Sequence, residues 1–128
     1  MRCRKNSAAK GFTLLEIMII VAMIGLLAVL AVPTFIKARK VSQGRRIVND
    51  ARQMDTAISQ WALDNGKKDG DEVAGNESLI QTYLKTPWKA KDILGNDFTI
   101  GQVGTNQLRI ADATKSALDG VGIDWGVF

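Results

Sequence analysis

A single carboxylate, Glu16, stands five residues after the Lys10-Gly11 step, inside an apolar run from Phe12 to Ile36. That run holds fifteen Leu, Ile, Val and Phe residues and no other charge. Each contributes about −0.3 to −0.6 kcal/mol to membrane insertion, together roughly −7, against about +3 for one acidic residue. The segment therefore inserts despite Glu16. An ionisable side chain in such a place is a functional candidate whose partner has to be named. Elsewhere the chemistry-bearing residues are sparse. The 128 residues include no histidine, and Cys3 is the only cysteine, placed ahead of the apolar run. Without histidine there is no imidazole base, no histidine-activated nucleophile and no histidine metal ligand. Catalysis is not expected.

Two ordinary readings of the first forty residues compete with a specialised one. A secretory signal peptide would use the basic residues Arg2, Arg4, Lys5 and Lys10 and a small-residue site at Val29-Leu30-Ala31, but the apolar run is about twice the usual 7–15 residues. An uncleaved membrane anchor would account for the length but not for Glu16. The order Lys10, Gly11, Phe12, Thr13, Leu14, then Glu16 resembles the processing site of type IV prepilins and of the pseudopilins of type II secretion. The likeness runs from Met1 to roughly Lys40. It implies cleavage between Gly11 and Phe12 by a prepilin peptidase, N-methylation of Phe12, and pairing of the new Phe12 ammonium with Glu16 of a neighbouring subunit. It also implies a homo-oligomeric helical filament, accompanied by other pseudopilins or minor pilins and built on an inner-membrane assembly platform. Residues 1–11 are then a leader, 12–36 the transmembrane and filament-core helix, and 37–128 an amphipathic helix with a pilin-like head.

Those side chains must be carried by a long helix. Phe12–Ile36 is apolar on all sides and spans about 37 Å, more than the roughly 30 Å hydrocarbon core. Pro33 removes a donor to the Val29 carbonyl and predicts a kink. Lys37, Arg39 and Lys40 close the run. Charge counting hardly separates the two ends, so the resemblance sets the topology: a single pass through the inner membrane with the head outside the cytoplasm, and a periplasmic or extracellular filament after assembly. Val41, Gly44, Ile47, Val48, Ala51, Met54, Ile58 and Trp61 then recur at helical spacing, and Arg45, Arg46, Asp50, Arg52 and Asp55 between them predict a solvated face with i,i+4 pairs. Asn65-Gly66 stops the helix.

Beyond it the pattern predicts an α+β head with a small antiparallel sheet. Its parts are a polar loop over 67–75, a short helix capped by Asn76 with Leu79, Ile80, Tyr83 and Leu84 on one face, and an irregular 88–94. A hairpin follows, made of 97–103 and 107–111, then a helical turn capped by Asp112, and last a strand over 123–128. Trp61, Tyr83, Trp88, Phe98 and Trp125 read as core aromatics. Such a head is too small to hold itself, so the helix stripe should be its spine.

The remaining candidates are acidic. Asp69, Asp71 and Glu72 cluster in a glycine-flanked loop without the spacing of an EF-hand, and read as solvated charge. The resemblance implies a calcium site late in the head, for which Asp112, Asp119 and Asp124 are the candidates; no other cofactor is expected. Four of the seventeen basic residues lie in the leader, leaving thirteen against thirteen acidic residues from Phe12 onward. Nucleic acid is not an expected partner. The absence of cysteine from Phe12 onward departs from the disulfide of many type IV pilins and, with the short processed chain, points first to a pseudopilin of type II secretion. An extracellular type IV pilus subunit is the alternative. A membrane-anchored or secreted enzyme or binding module is a third.

Overall fold

The computed structural model describes residues 10–128, so the leader residues Arg2, Cys3, Arg4 and Lys5 lie outside the described residues. One helix, α1, runs Leu14–Asp64 with Pro33 inside it. The sequence expected a start at Phe12; the difference is set by Thr13, discussed below. The helix is long and apolar enough to cross a membrane. Contacts divide the chain into two units, one ending at Ile36 and the other running Lys37–Phe128. In the first, every described side chain is exposed, including Leu14, Ile17, Met18, Leu26, Leu30 and Phe35. Among the described residues nothing packs on them. At Pro33 the helical assignment continues, and the Thr34 hydroxyl donates to the Leu30 carbonyl at 3.3 Å.

In the second unit the helix buries one stripe: Gly44, Ile47, Val48, Ala51, Met54, Ala57, Ile58, Trp61 and Ala62. Spacings of three and four residues keep these on one face, as the sequence expected, with Ala57 and Ala62 added. The stop after Asp64 is a Schellman motif. Gly66 adopts φ 61°, the Lys67 amide donates to the Ala62 carbonyl at 2.8 Å, and the Gly66 amide to Leu63 at 3.3 Å. Glycine suits this left-handed residue because it has no Cβ to clash.

The head covers that stripe with short elements. A helix α2 spans Glu77–Ile80 and tightens into a 3₁₀ turn over Gln81–Tyr83. Strands β1, Thr99–Ile100, and β2, Leu108–Arg109, pair antiparallel with Thr99 opposite Arg109 and Ile100 opposite Leu108. Helix α3 spans Asp112–Ala117. Val73, Ile80, Phe98, Val103, Leu108, Ile110, Leu118 and Phe128 complete the core against the helix stripe. Trp61 is buried and Phe98 nearly so, while Tyr83, Trp88 and Trp125 pack at its margin.

Several local expectations are corrected. The hairpin is short because its first strand changes partner. The Val73 amide donates to Gly101, the Val103 amide to Asp71 and the Gly70 amide to Val103, so residues 101–103 pair with the 70–73 loop. That pairing buries Val73 within the 67–75 loop, expected to be polar. The Asn76 side chain makes no cap; the Glu77 carboxylate accepts from the Gly75 amide instead, at 3.1 Å. Leu79 faces outward, since the turn tightens after Ile80. Asp112 is the first residue of α3, not its cap, and Ala111 holds the N-cap position. The tail over 123–128 forms no strand. Its Ile123 instead packs over Gly44, where an added Cβ would lie 2.1 Å from the Ile123 Cδ1. Gly44 is therefore the notch in α1 that admits the tail. Asp50 forms no i,i+4 pair; it binds Lys89 at 2.7 Å.

One buried carboxylate organises the loop before β1. Asp92 Oδ1 accepts from the Leu94 and Asn96 amides at 2.8 and 3.0 Å. The Thr114 hydroxyl donates to Asp92 Oδ2 and accepts from Asn96 Nδ2 at 2.8 Å, tying the loop to α3. Replacing Asp92 by Ala leaves these donors without their acceptor, at about 3 kcal/mol in all, whereas Asp92→Asn keeps Oδ1 and costs about 1. Urea denaturation of both variants checks the difference: equal losses would mean that the carboxylate does not organise the loop.

Candidate functional site

The junction is built by the first turn of α1. Lys10 through Thr13 are non-helical and exposed, and nothing approaches Gly11 within 4 Å of an added Cβ. The Gly11–Phe12 bond thus lies two residues ahead of the helix, in backbone free of helical hydrogen bonds. A peptidase needs its substrate extended, and here the bond can be engaged without unwinding the helix. Thr13 places that boundary. Its Oγ1 accepts from the Glu16 amide at 3.2 Å, and its carbonyl accepts from the Ile17 amide at 3.3 Å. Thr13 is therefore the N-cap, and Glu16 is the third residue of the first turn.

This gives Glu16 a local role that the sequence analysis missed. Thr13-Leu14-Leu15-Glu16 has the T-x-x-E spacing of a capping box, which was readable in the sequence, and the structure forms its Thr13 half: the Glu16 amide donates to the Thr13 hydroxyl, while the Glu16 carboxylate accepts no bond from the Thr13 amide. A carboxylate in the first turn also faces the positive end of the helix dipole, worth about 0.3–1 kcal/mol at an exposed site. That contribution is small beside the cost of placing a carboxylate in hydrocarbon, so capping alone does not account for Glu16. Phe12 is 79% exposed, and Glu16 has no ion pair among the described residues. Among the described residues, then, the Glu16 carboxylate has no cationic side chain beside it.

The acidic candidates are dispersed. Asp119 accepts from the Gly120 amide and Asp124 from the Gly126 amide, each capping its own turn, while Asp112 opens α3. Asp71 accepts from the Lys68 amide at 2.9 Å, and Glu72 takes part in pairing with Gln102 through its backbone alone. Among the described residues no group of three or more His, Cys, Asp or Glu is placed to hold a metal ion. The sequence analysis also missed the Asp92, Asn96 and Thr114 cluster, whose only local signal is the Asp-x-x-Gly-Asn turn.

Residues 6–32 match the family described as the prokaryotic N-terminal methylation motif, a segment containing Gly11, Phe12, Thr13, Glu16 and most of the apolar run. Two type IV major fimbrial proteins of Dichelobacter nodosus align with it, one at 46% identity over 89% of this chain and 69% of its own length, the other at 38% over 78% of this chain and 56% of its own length. The type II secretion system core protein G of Escherichia coli aligns at 29% identity over 79% of this chain and 77% of its own length. No solved structure matches the chain significantly. The chain belongs to the type IV pilin and pseudopilin family. It is a structural subunit of that family, anchored through its apolar N-terminal helix.

Proposed function

We propose that this chain is a pseudopilin of a type II secretion system, cleaved between Gly11 and Phe12, methylated at Phe12 and assembled into a helical filament on an inner-membrane platform. The observation that carries assembly is the complete exposure of Leu14 to Ile36, a helix surface with no partner among the described residues. Lipid covers it before assembly and neighbouring copies cover it afterwards. Cleavage generates an ammonium at Phe12, which enters an apolar bundle of neighbouring helices. A buried unpaired charge costs several kcal/mol, and a carboxylate within hydrogen-bond reach offsets most of that. Glu16 of a neighbouring copy meets the ammonium at one axial offset, so the pair fixes register. N-methylation keeps the charge. Head-to-tail contacts that do not close into a ring give an open helix.

The secretion reading is supported by the absence of cysteine from residues 12–128 and by alignment over 77% of a secretion core protein. A second reading, an extracellular type IV pilus subunit, is favoured by the 46% identity to a fimbrial protein. Because this chain spans only 56–69% of the fimbrial proteins' lengths, their assembly and function are not transferred whole. Two measurements test the proposal. N-terminal sequencing of membrane-extracted protein should return methylated Phe12; an intact Met1, or a start at Val32, defeats the processing step. Deleting the gene should abolish export of secreted enzymes and leave surface pili intact. The reverse pattern selects the pilus reading.

A further inference from the structure

Charges outside the apolar run are sorted by sign. Residues 37–46 hold Lys37, Arg39, Lys40, Arg45 and Arg46 with no carboxylate, whereas residues 47–128 hold eight basic side chains against twelve acidic. Four of the five are exposed and Lys40 is half-buried. The ion pairs among the described residues are Lys89 with Asp50 and Lys91 with Asp97. Asp50 is the first acid after the cluster, four residues past Arg46, yet Lys89 holds it at 2.7 Å. All five cations therefore lack a carboxylate partner among the described residues. Like charges at this spacing repel, so the cluster persists at a cost unless something outside the chain neutralises it.

We infer that Lys37–Arg46 is a binding collar for anionic phospholipid headgroups. The adjoining span fixes the occupant. A helix whose apolar residues up to Ile36 fill the hydrocarbon places its next residues at headgroup level, and ten residues of helix cover about 15 Å. Lysine and arginine keep their methylene stems on apolar surface while their charged ends reach phosphates. Juxtamembrane clusters of four to eight basic residues are attracted to anionic lipid surfaces, and the attraction fades within a Debye length. Residues 47–128, net acidic, offer the same surface no comparable attraction. The collar thus sets the depth of the membrane-held subunit, and entry into a filament requires these phosphate contacts to be released. This inference goes beyond the filament reading and needs only that the apolar helix lies in a bilayer.

The full-length chain, reconstituted in bicelles of phosphatidylcholine alone or mixed with phosphatidylglycerol, can be labelled with a water-soluble amine reagent and read by mass spectrometry. Lys37 and Lys40 should react at least about fivefold more slowly in the anionic bicelles, with Lys85 and Lys115 unchanged as internal controls. Protection should vanish at about 1 M salt, where the Debye length is roughly 3 Å. Arg39→Gln combined with Arg45→Gln and Arg46→Gln should weaken it at both lysines. Equal labelling in the two bicelles overturns the inference. So does protection that appears in phosphatidylcholine and grows with the protein-to-lipid ratio, because the acidic head of a second copy would then be the occupant.

Discussion

A fragment beginning at Lys37 will be soluble and melt cooperatively, whereas one beginning at Asn65 will be unfolded. The second cut removes Ile47, Val48, Met54, Ile58 and Trp61 from the core, each worth about 1.5–3 kcal/mol when fully buried. Their sum, roughly 7–15 kcal/mol, equals the entire stability of a typical domain. What remains, Val73, Ile80, Phe98, Val103, Leu108, Ile110, Leu118 and Phe128, has no element long enough to cover it. Two-residue strands and one- to two-turn helices do not persist alone. Of the described residues, the Lys37 fragment loses only side chains that are exposed. Circular dichroism and thermal melts of both fragments decide the matter: a cooperative transition from residues 65–128 would show that the helix stripe is not the spine of the head.

Removing the Glu16 carboxylate will abolish filament assembly and leave insertion and cleavage intact. Glu16→Ala makes the span more apolar, so insertion is favoured further. The Gly11–Phe12 bond stays exposed ahead of the helix, and Thr13 still accepts from the backbone amide of residue 16, since that bond does not use the Glu16 side chain. In the filament the Phe12 ammonium then has no partner, a penalty of roughly 3–5 kcal/mol per interface. Glu16→Gln separates the two roles of the residue. Glutamine serves a capping box as glutamate does, but it carries no charge to pair with the ammonium. If Glu16 acts only as part of the helix cap, Gln restores filaments and Ala does not; if it pairs with Phe12, both fail. The readout is the yield of sheared filaments against membrane-retained, N-terminally processed protein. Normal yield from both variants would remove Glu16 from the assembly mechanism.

Some features were fixed by local physics and were therefore legible in the sequence. The apolar run is legible because transfer free energy sums over residues wherever they sit in the helix. The buried stripe from Gly44 to Trp61 follows from 3.6-residue periodicity, and the stop at Asn65-Gly66 from glycine's access to positive φ. The motif from Lys10 to Glu16 is made of contiguous residues, and so is the Thr13 cap, which the Thr13-to-Glu16 spacing carries equally. Tertiary structure alone decided the features that join distant segments. Lys89 draws Asp50 away from its helical neighbours, and Thr114 meets Asp92 across 22 residues. Val73 is buried because residues 101–103 pair with its loop, and Ile123 closes on Gly44 where a side chain would have blocked it. In a head whose strands are two residues long, local propensity is too weak to set boundaries, and burial against the long helix sets them instead.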